Sequence, residues 1–433
     1  NFDPNTISQA DLDIIKAEFE SNYLGVLESV AAKATTLAQW HMFLGKTYNL
    51  DQEVARYSKV TKADLVRVYN KYIKNQNSFT LFITPREPGS KEENVSVDPY
   101  AGISNPIAEK EYEGLTYVKP TDNFDRSIHP TPGAPKPALV PQFYKTEFKN
   151  GLKVIGTKTS EVPISVVTVR AKGGHLLEVY NPKTIGVASL MASLMNESTQ
   201  NFTDEQISAE LDKLGASISI SAQTSGINVT LYCPTKNLDA ALKIMEEKMM
   251  RPKFDEKDFK RVKEEMMQSY YSSNRSGASL ASRAYNQLIY GEDHILASSA
   301  MGNDKTISNI KLQDVIDFYN NYFSPNGGGL VIVSDLDKDA ILSKLGFLNN
   351  WAPKEVKLPE LTFKYDRNKT EVYLVDQPYA AQSTIYIGYL AMPFDYNGEY
   401  FKANVMNFPL GGNFNSRINL NLREEKGFTY GSG

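Results

Sequence analysis

Part of this chain is written twice. The stretch from Val60 to Ile73 contains Asp64, Tyr69, Asn70 and Tyr72, and the stretch from Ile310 to Phe323 contains Asp314, Tyr319, Asn320 and Tyr322. These residues keep a constant spacing of 250, and the apolar positions follow helical periodicity in both copies. Upstream, Leu12, Ile15, Lys16, Glu18 and Tyr23 answer to Phe259, Val262, Lys263, Glu265 and Tyr270 at a spacing of 247, and Gly45 and Gly291 close similar Ala/Ser-rich stretches. Each copy then runs through a short polar link into an apolar strand, Phe79 to Ile83 and Leu330 to Val333. Three matching pieces in one order imply a duplicated structural unit.

The second copy has a long related stretch ahead of Phe259, reaching back to about Gln142, whereas few residues precede Leu12. The chain is therefore expected to start inside a unit, and to stop at Phe428–Gly433 where a further strand begins. Between the copies, residues 85–141 hold ten of the 21 prolines with little apolar periodicity, the composition of an extended linker. The expected organisation is 1–88 as the end of one unit and 89–141 as linker. Residues 142–356 then form a fuller unit, and 357–433 the start of another. In that last segment Glu371–Val375 and Ser383–Gly388 echo the strands read at Leu152–Ile155 and Ser165–Val169. Strands that alternate apolar and polar residues, interleaved with amphipathic helices, predict an α+β fold of antiparallel sheets covered by helices on one face. Thr203 with Gln206 predicts a capping box, and Gly215 the left-handed end of the same helix.

Composition narrows the function. A net charge of −4 offers no case for nucleic acid, and apolar stretches such as Gly186 to Met195 are too short to span a bilayer. The single cysteine, Cys233, excludes an intramolecular disulfide and reads as a core thiol. The histidines, His41, His129, His175 and His294, are too scattered for a zinc site, which needs two imidazoles on one helix face with a carboxylate. His175, in Gly173-Gly174-His175-Leu-Leu-Glu178, reads as a surface loop or strand-end residue. No Gly-x-Ser-x-Gly elbow or phosphate loop is present, and Gly327–Gly329 precede a strand, as a turn would.

The densest local signal is Leu410-Gly411-Gly412-Asn413-Phe414-Asn415-Ser416-Arg417, continuing through Leu422-Arg423-Glu424-Glu425-Lys426-Gly427 to Tyr430. The paired glycines permit a tight turn, Ile418, Leu420 and Leu422 anchor a helix, and Gly427 ends it. Arg423 then lies in the last turn and Tyr430 on a following strand. A guanidinium and a phenol so placed can donate to a peptide carbonyl. Equally, the arginine can serve the helix dipole, with the tyrosine at the edge of a core.

This string resembles the signature in the last quarter of pitrilysin/insulinase-family zinc metallopeptidases, a family that includes mitochondrial processing peptidase. Asn150–Val154, the helix from Gly186, Phe202 to Ala216, Tyr290-Gly291 and Ala381–Ser383 add to the likeness. The resemblance implies four similar α+β units in two halves that close like a clamshell on an unfolded peptide. It makes 1–88 the end of the second unit, 142–356 the third and 357–433 the start of the fourth. The family's zinc helix carries His-x-x-Glu-His, and here the matching positions hold Ser189, Ala192 and Ser193, the pattern of the family's inactive half. Val187, Leu190, Met191, Leu194 and Met195 keep a buried stripe, and Glu264 and Glu265 read as solvated charges.

By the same likeness, Arg423 and Tyr430 match the pair that holds the scissile carbonyl, with Gly411 and Gly412 in the substrate loop. The implied function is the substrate-binding, non-catalytic portion of a zinc endopeptidase. Zinc is expected in an upstream half outside this chain; the expected partners are a peptide and that half, with no nucleic acid and no membrane span. Likeness to single-chain bacterial members implies the periplasm or cell envelope, otherwise the cytoplasm. The alternative is a catalytically dead homologue serving as a scaffold, as the core subunits of the respiratory cytochrome reductase do.

Overall fold

The computed structural model describes residues 3–46, 50–82, 140–362, 369–378 and 380–433, with isolated positions between 114 and 134 and at 365. The chain divides into one compact unit of 1–62 with 142–433 and another of 63–141. In chain order the first helices are α1 (Gln9–Val26), α2 (Val30–Leu44), α3 (Leu50–Ser58) and α4 (Lys62–Tyr72). Strands β1 (Phe143–Glu147), β2 (Lys153–Lys158) and β3 (Ile164–Lys172) lead to α5 (Val187–Met195) and α6 (Asp204–Leu214). The hairpin of β4 (Ser217–Gln223) and β5 (Gly226–Pro234) precedes α7 (Leu238–Met250), α8 (Glu256–Ser273) and α9 (Gly277–Tyr290). Then come α10 (Asp304–Asn309), α11 (Leu312–Tyr322), β6 (Gly329–Ser334), α12 (Lys338–Lys344), α13 (Glu399–Asn407) and α14 (Arg417–Asn419).

The repeat is visible in these bounds. Helices α1 and α8 each run 18 residues from starts 247 apart, and α4 and α11 each run 11 residues from starts 250 apart. Helices α2 and α9 both stop at a glycine with positive φ, Gly45 and Gly291. Equivalent residues therefore make equivalent elements.

Strand order among the described residues is β1-β2-β6-β3-β5-β4. The expected all-antiparallel sheet is corrected at one place. β6 returns after the helical excursion and inserts between β2 and β3, parallel to β2 (Val154 opposite Leu330) and antiparallel to β3 (Val167 opposite Ile332). A long helical crossover lets a strand come back in the direction of its neighbour, which a tight hairpin does not. One face, with Val154, Val167, Val169, Ile227, Val229 and Leu231, is buried against α5, α7, α8 and α11. Ile155 and Val331 on the opposite face are exposed. Cys233 is fully buried, and burial pushes its thiol up to about 12.

Helix α6 starts with the expected capping box, Thr203 Oγ1 accepting from the Gln206 amide at 3.3 Å and Gln206 Oε1 from the Thr203 amide at 3.0 Å. It ends at Gly215 with φ +56°, where a Cβ would stand 2.8 Å from the Ala17 carbonyl of α1. That contact seats α1 on α6, with Ser21 Oγ donating to the Gly215 carbonyl at 2.7 Å and Glu20 paired to Lys236 at 2.8 Å.

Two expected strands are corrected. Residues 371–375 and 383–388 are extended but join no ladder among the described residues, and Val372, Leu374, Ile385 and Ile387 are exposed. Alternation prepares a strand, but pairing requires a neighbour. In the 63–141 unit, Phe79 to Phe82 is likewise extended and exposed, Ile83 lies outside the described residues, and so does nearly all of the 89–141 linker.

Candidate functional site

Helix α5 is apolar almost all round. Val187, Ala188, Leu190, Met191, Ala192, Leu194 and Met195 are all buried, so the predicted stripe is present and wider than expected. A helix with this much apolar surface has to sit between other layers; here it lies between the sheet, α8 and α11. Of the three positions that matched the zinc motif, Ser189 is half-buried and its Oγ donates to the Ala300 carbonyl at 2.7 Å. Ala192 is 1% exposed, and Ser193 is exposed.

Zinc does not fit this helix. Two alcohols and a methyl group replace the imidazoles and carboxylate that zinc prefers, and one alcohol is already spent on a backbone carbonyl. The space beside Ser189 is also taken. A Cβ on Gly186 would stand 2.6 Å from the Met301 carbonyl, and one on Gly302 would stand 2.2 Å from the Ile185 carbonyl. The segment 299–302 thus lies directly against the start of α5. Glu264 and Glu265 on α8 are exposed, Glu265 being paired with Arg261 at 3.0 Å. Among the described residues no group of three His, Cys, Asp or Glu side chains converges.

The structure corrects His175, read as a surface residue. It is 3% exposed, and its Nδ1 lies 2.6 Å from Glu178 Oε2, its Nε2 2.9 Å from the Ile295 carbonyl. Glu178 Oε1 accepts from the amides of Gly186 at 3.0 Å and Ala188 at 2.8 Å. These are orphan donors of α5, whose N-cap is a glycine with no side chain to offer. A carboxylate at a helix N-terminus also meets the positive end of the dipole. Burial opposes the charge on His175, but the hydrogen bond and charge of Glu178, with backbone contacts at Ile295 and Ser298, outweigh it and raise its pKa. Burial also raises Glu178, against the pull of His175 and the two amides. For the cap alone a signal was readable: the N-cap of α5, Gly186, has no side chain, and the acidic Glu178 precedes it by eight positions.

At the other end, α13 runs into a π-wound turn, Phe408–Gly412. Gly411 is buried, and a Cβ on Gly412 would lie 3.1 Å from the Asn407 carbonyl, so close approach selects glycine there. Neither glycine needs positive φ. Helix α14 continues as a π-wound stretch, Leu420–Glu425. It closes at Gly427, φ +61°, with the Phe428 amide reaching the Leu422 carbonyl at 2.9 Å. Arg423 is therefore in the last turn as expected, ion-paired with Glu424 and stacked 4.6 Å over the Phe414 ring. Tyr430 is 88% exposed on an extended tail rather than the expected strand. Among the described residues no hydrogen bond or ring contact joins Arg423 to Tyr430. Sequence reasoning missed Asn419, which is buried, donates to the Phe414 carbonyl at 2.7 Å and accepts from the Ser432 amide at 3.0 Å. It ties the glycine turn to the tail that carries Tyr430.

Residues 153–293 match the family described as Insulinase (Peptidase family M16), and residues 309–433 match the Peptidase M16 inactive domain. The chain belongs to peptidase family M16. This M16 chain is 26% identical over 64% of its length to a Helicobacter pylori protein named Non-peptidase homolog YmxG, spanning 63% of that relative. It is 21% identical over 67% of its length to a Rickettsia felis protein named an uncharacterized zinc protease, spanning 69% of it. A crystal structure of a peptidase M16 inactive domain from Pseudomonas fluorescens superposes with a TM-score of 0.55 at 20% identity, covering 67% of this chain and 69% of that one. The likeness extends to the fold. No helix among the described residues is long and apolar enough to cross a membrane.

Proposed function

We propose that this chain is the substrate-binding, non-catalytic portion of an M16 zinc endopeptidase. It would work against a catalytic half that supplies His-x-x-Glu-His and zinc. The observation that carries the reading is α5, whose packing is that of a structural helix while the three positions matching the zinc motif offer no metal donors. In this reading 1–88 ends the second unit, the 89–141 linker joins it to the third unit at 142–356, 357–433 begins the fourth, and the substrate is a peptide or unfolded polypeptide. By the family resemblance alone, the setting proposed is the periplasm or cell envelope, otherwise the cytoplasm.

Arg423 and Tyr430 would donate to the substrate carbonyl, with Gly411 and Gly412 shaping the loop beside them. Two features support those roles. Tyr430 is exposed and free to turn toward a ligand, and a surface pair between half-buried Arg423 and exposed Glu424 is of the kind worth about 0–1 kcal/mol, so a peptide carbonyl can displace it at little cost. With the catalytic half present on one polypeptide, Tyr430→Phe should lower kcat by about 10²–10³-fold, the usual loss for one oxyanion donor. Its melting temperature should be unchanged; unaltered turnover would remove Tyr430 from the mechanism.

A scaffold role is the second reading, favoured by the engagement of Arg423 with Glu424 and Phe414 and by the name of the Helicobacter relative. Anisotropy with a fluorescent unfolded peptide separates the two, since a scaffold gives no saturable binding.

A further inference from the structure

The His175–Glu178 pair contributes more than a helix cap requires. A carboxylate alone would satisfy the Gly186 and Ala188 amides, yet a buried imidazole is added and bridges to a different segment. The hydrogen-bond pattern defines its protons. The Ile295 carbonyl can only accept, so Nε2 carries a hydrogen. Glu178 receives two amides on Oε1 and faces a helix N-terminus, both of which favour the anion, so Nδ1 donates to Oε2 as well. His175 is then an imidazolium in a buried, charge-neutral pair.

The surroundings offer no substitute for that charge. Helix α5 carries no ionisable side chain. On the 295–298 side, His294 stacks on Tyr290 at 5.7 Å, its Nδ1 accepts from the Leu296 amide, and burial lowers its pKa, keeping it neutral. On the hairpin side, Arg170 is held on Ser225 at 2.7 Å. Glu178 is the group that stabilises the imidazolium.

We propose that His175 is a proton-held latch, joining the start of α5 to the 295–302 segment that lies over the Ser189 flank. Losing the Nδ1 proton places a lone pair against a carboxylate oxygen at 2.6 Å, two acceptors with nothing between them. The contact must then open, and the Ile295 anchor with it. The Ala300 carbonyl held by Ser189 and the Met301 carbonyl against Gly186 are the next contacts along that segment. The direction with pH follows from the raised His175 value. The latch is closed below the ordinary histidine value of 6.5 and opens as pH rises through the higher value it has when folded. The raised Glu178 value has the same sense, because the pair as a whole holds its proton more tightly when folded.

The test is a pH titration of the full chain labelled with ¹⁵N-histidine. Its four histidines give four ring spin systems, and the one absent from His175→Gln identifies His175. The expected result is a ring with both nitrogens protonated at pH 7. Amide hydrogen exchange across 295–302, corrected for intrinsic base catalysis, should accelerate at least tenfold as that ring titrates. In His175→Gln the corrected exchange should be independent of pH. A neutral His175 ring at pH 7, or exchange across 295–302 that ignores its titration, would overturn the latch.

Discussion

Ser189, Ala192 and Ser193 show what a single side chain can remove from a site while leaving its helix intact. Ala192 stands at the general-base position of the motif and is 1% exposed within the hydrophobic core. Truncating a neighbour in that layer, Met191→Ala, should cost about 2–5 kcal/mol, measured by urea unfolding. Cys233 should stay unreactive to a thiol reagent in the native chain and react fully on unfolding, because burial holds its thiol near 12. Lys248 is buried with Nζ donating to the Asn196 carbonyl, and burial lowers its pKa below 10.5. The unfolded chain therefore binds more protons than the folded one just below 10.5, so this lysine makes stability rise with pH there. Lys248→Met should abolish that rise in chemical unfolding measured across alkaline pH.

At the scale of elements, α5 and the 299–302 segment behave as one object. Grafting the zinc motif by Ser189→His, Ala192→Glu and Ser193→His should not create a metal centre. The histidine at 189 meets the Ala300 carbonyl, and a carboxylate at 192 is buried without a partner, a loss of about 3–5 kcal/mol. Elemental analysis should find less than one zinc per chain, and the melting temperature should fall. Gly302→Ala tests the segment from its other side. Its φ is +81° and a Cβ would strike the Ile185 carbonyl, so destabilisation without local change in α8 is expected.

At the scale of the molecule, the repeat and the helical pattern were legible because they are local. Helix α4 and helix α11 have the same length and the same relative start because each carries its own apolar period. The cap of α6 was legible for the same reason, since Thr203 and Gln206 are three residues apart. The insertion of β6 between β2 and β3, the burial of His175 and the role of Asn419 were not legible. Each depends on partners far along the chain, such as Ile295 for His175 and Ser432 for Asn419. The proposed peptide-binding role belongs to this scale too. This chain alone should bind an unfolded peptide saturably yet release no cleavage products, and cleavage by the isolated chain would count against the non-catalytic reading.

Spacing along the chain by itself determined that a unit is duplicated and that strands and amphipathic helices alternate, while the resemblance to the family is what marked Ser189, Ala192 and Ser193 as the positions matching its zinc motif. Spacing could do so because periodicity and side-chain chemistry are properties of neighbouring residues. Only the tertiary structure decided that the sheet is mixed, that residues 371–375 and 383–388 stay extended without a ladder, and that a His–Glu pair pins the start of α5. Strand pairing and buried charge are settled by which distant groups meet, and that is a property of the packed chain.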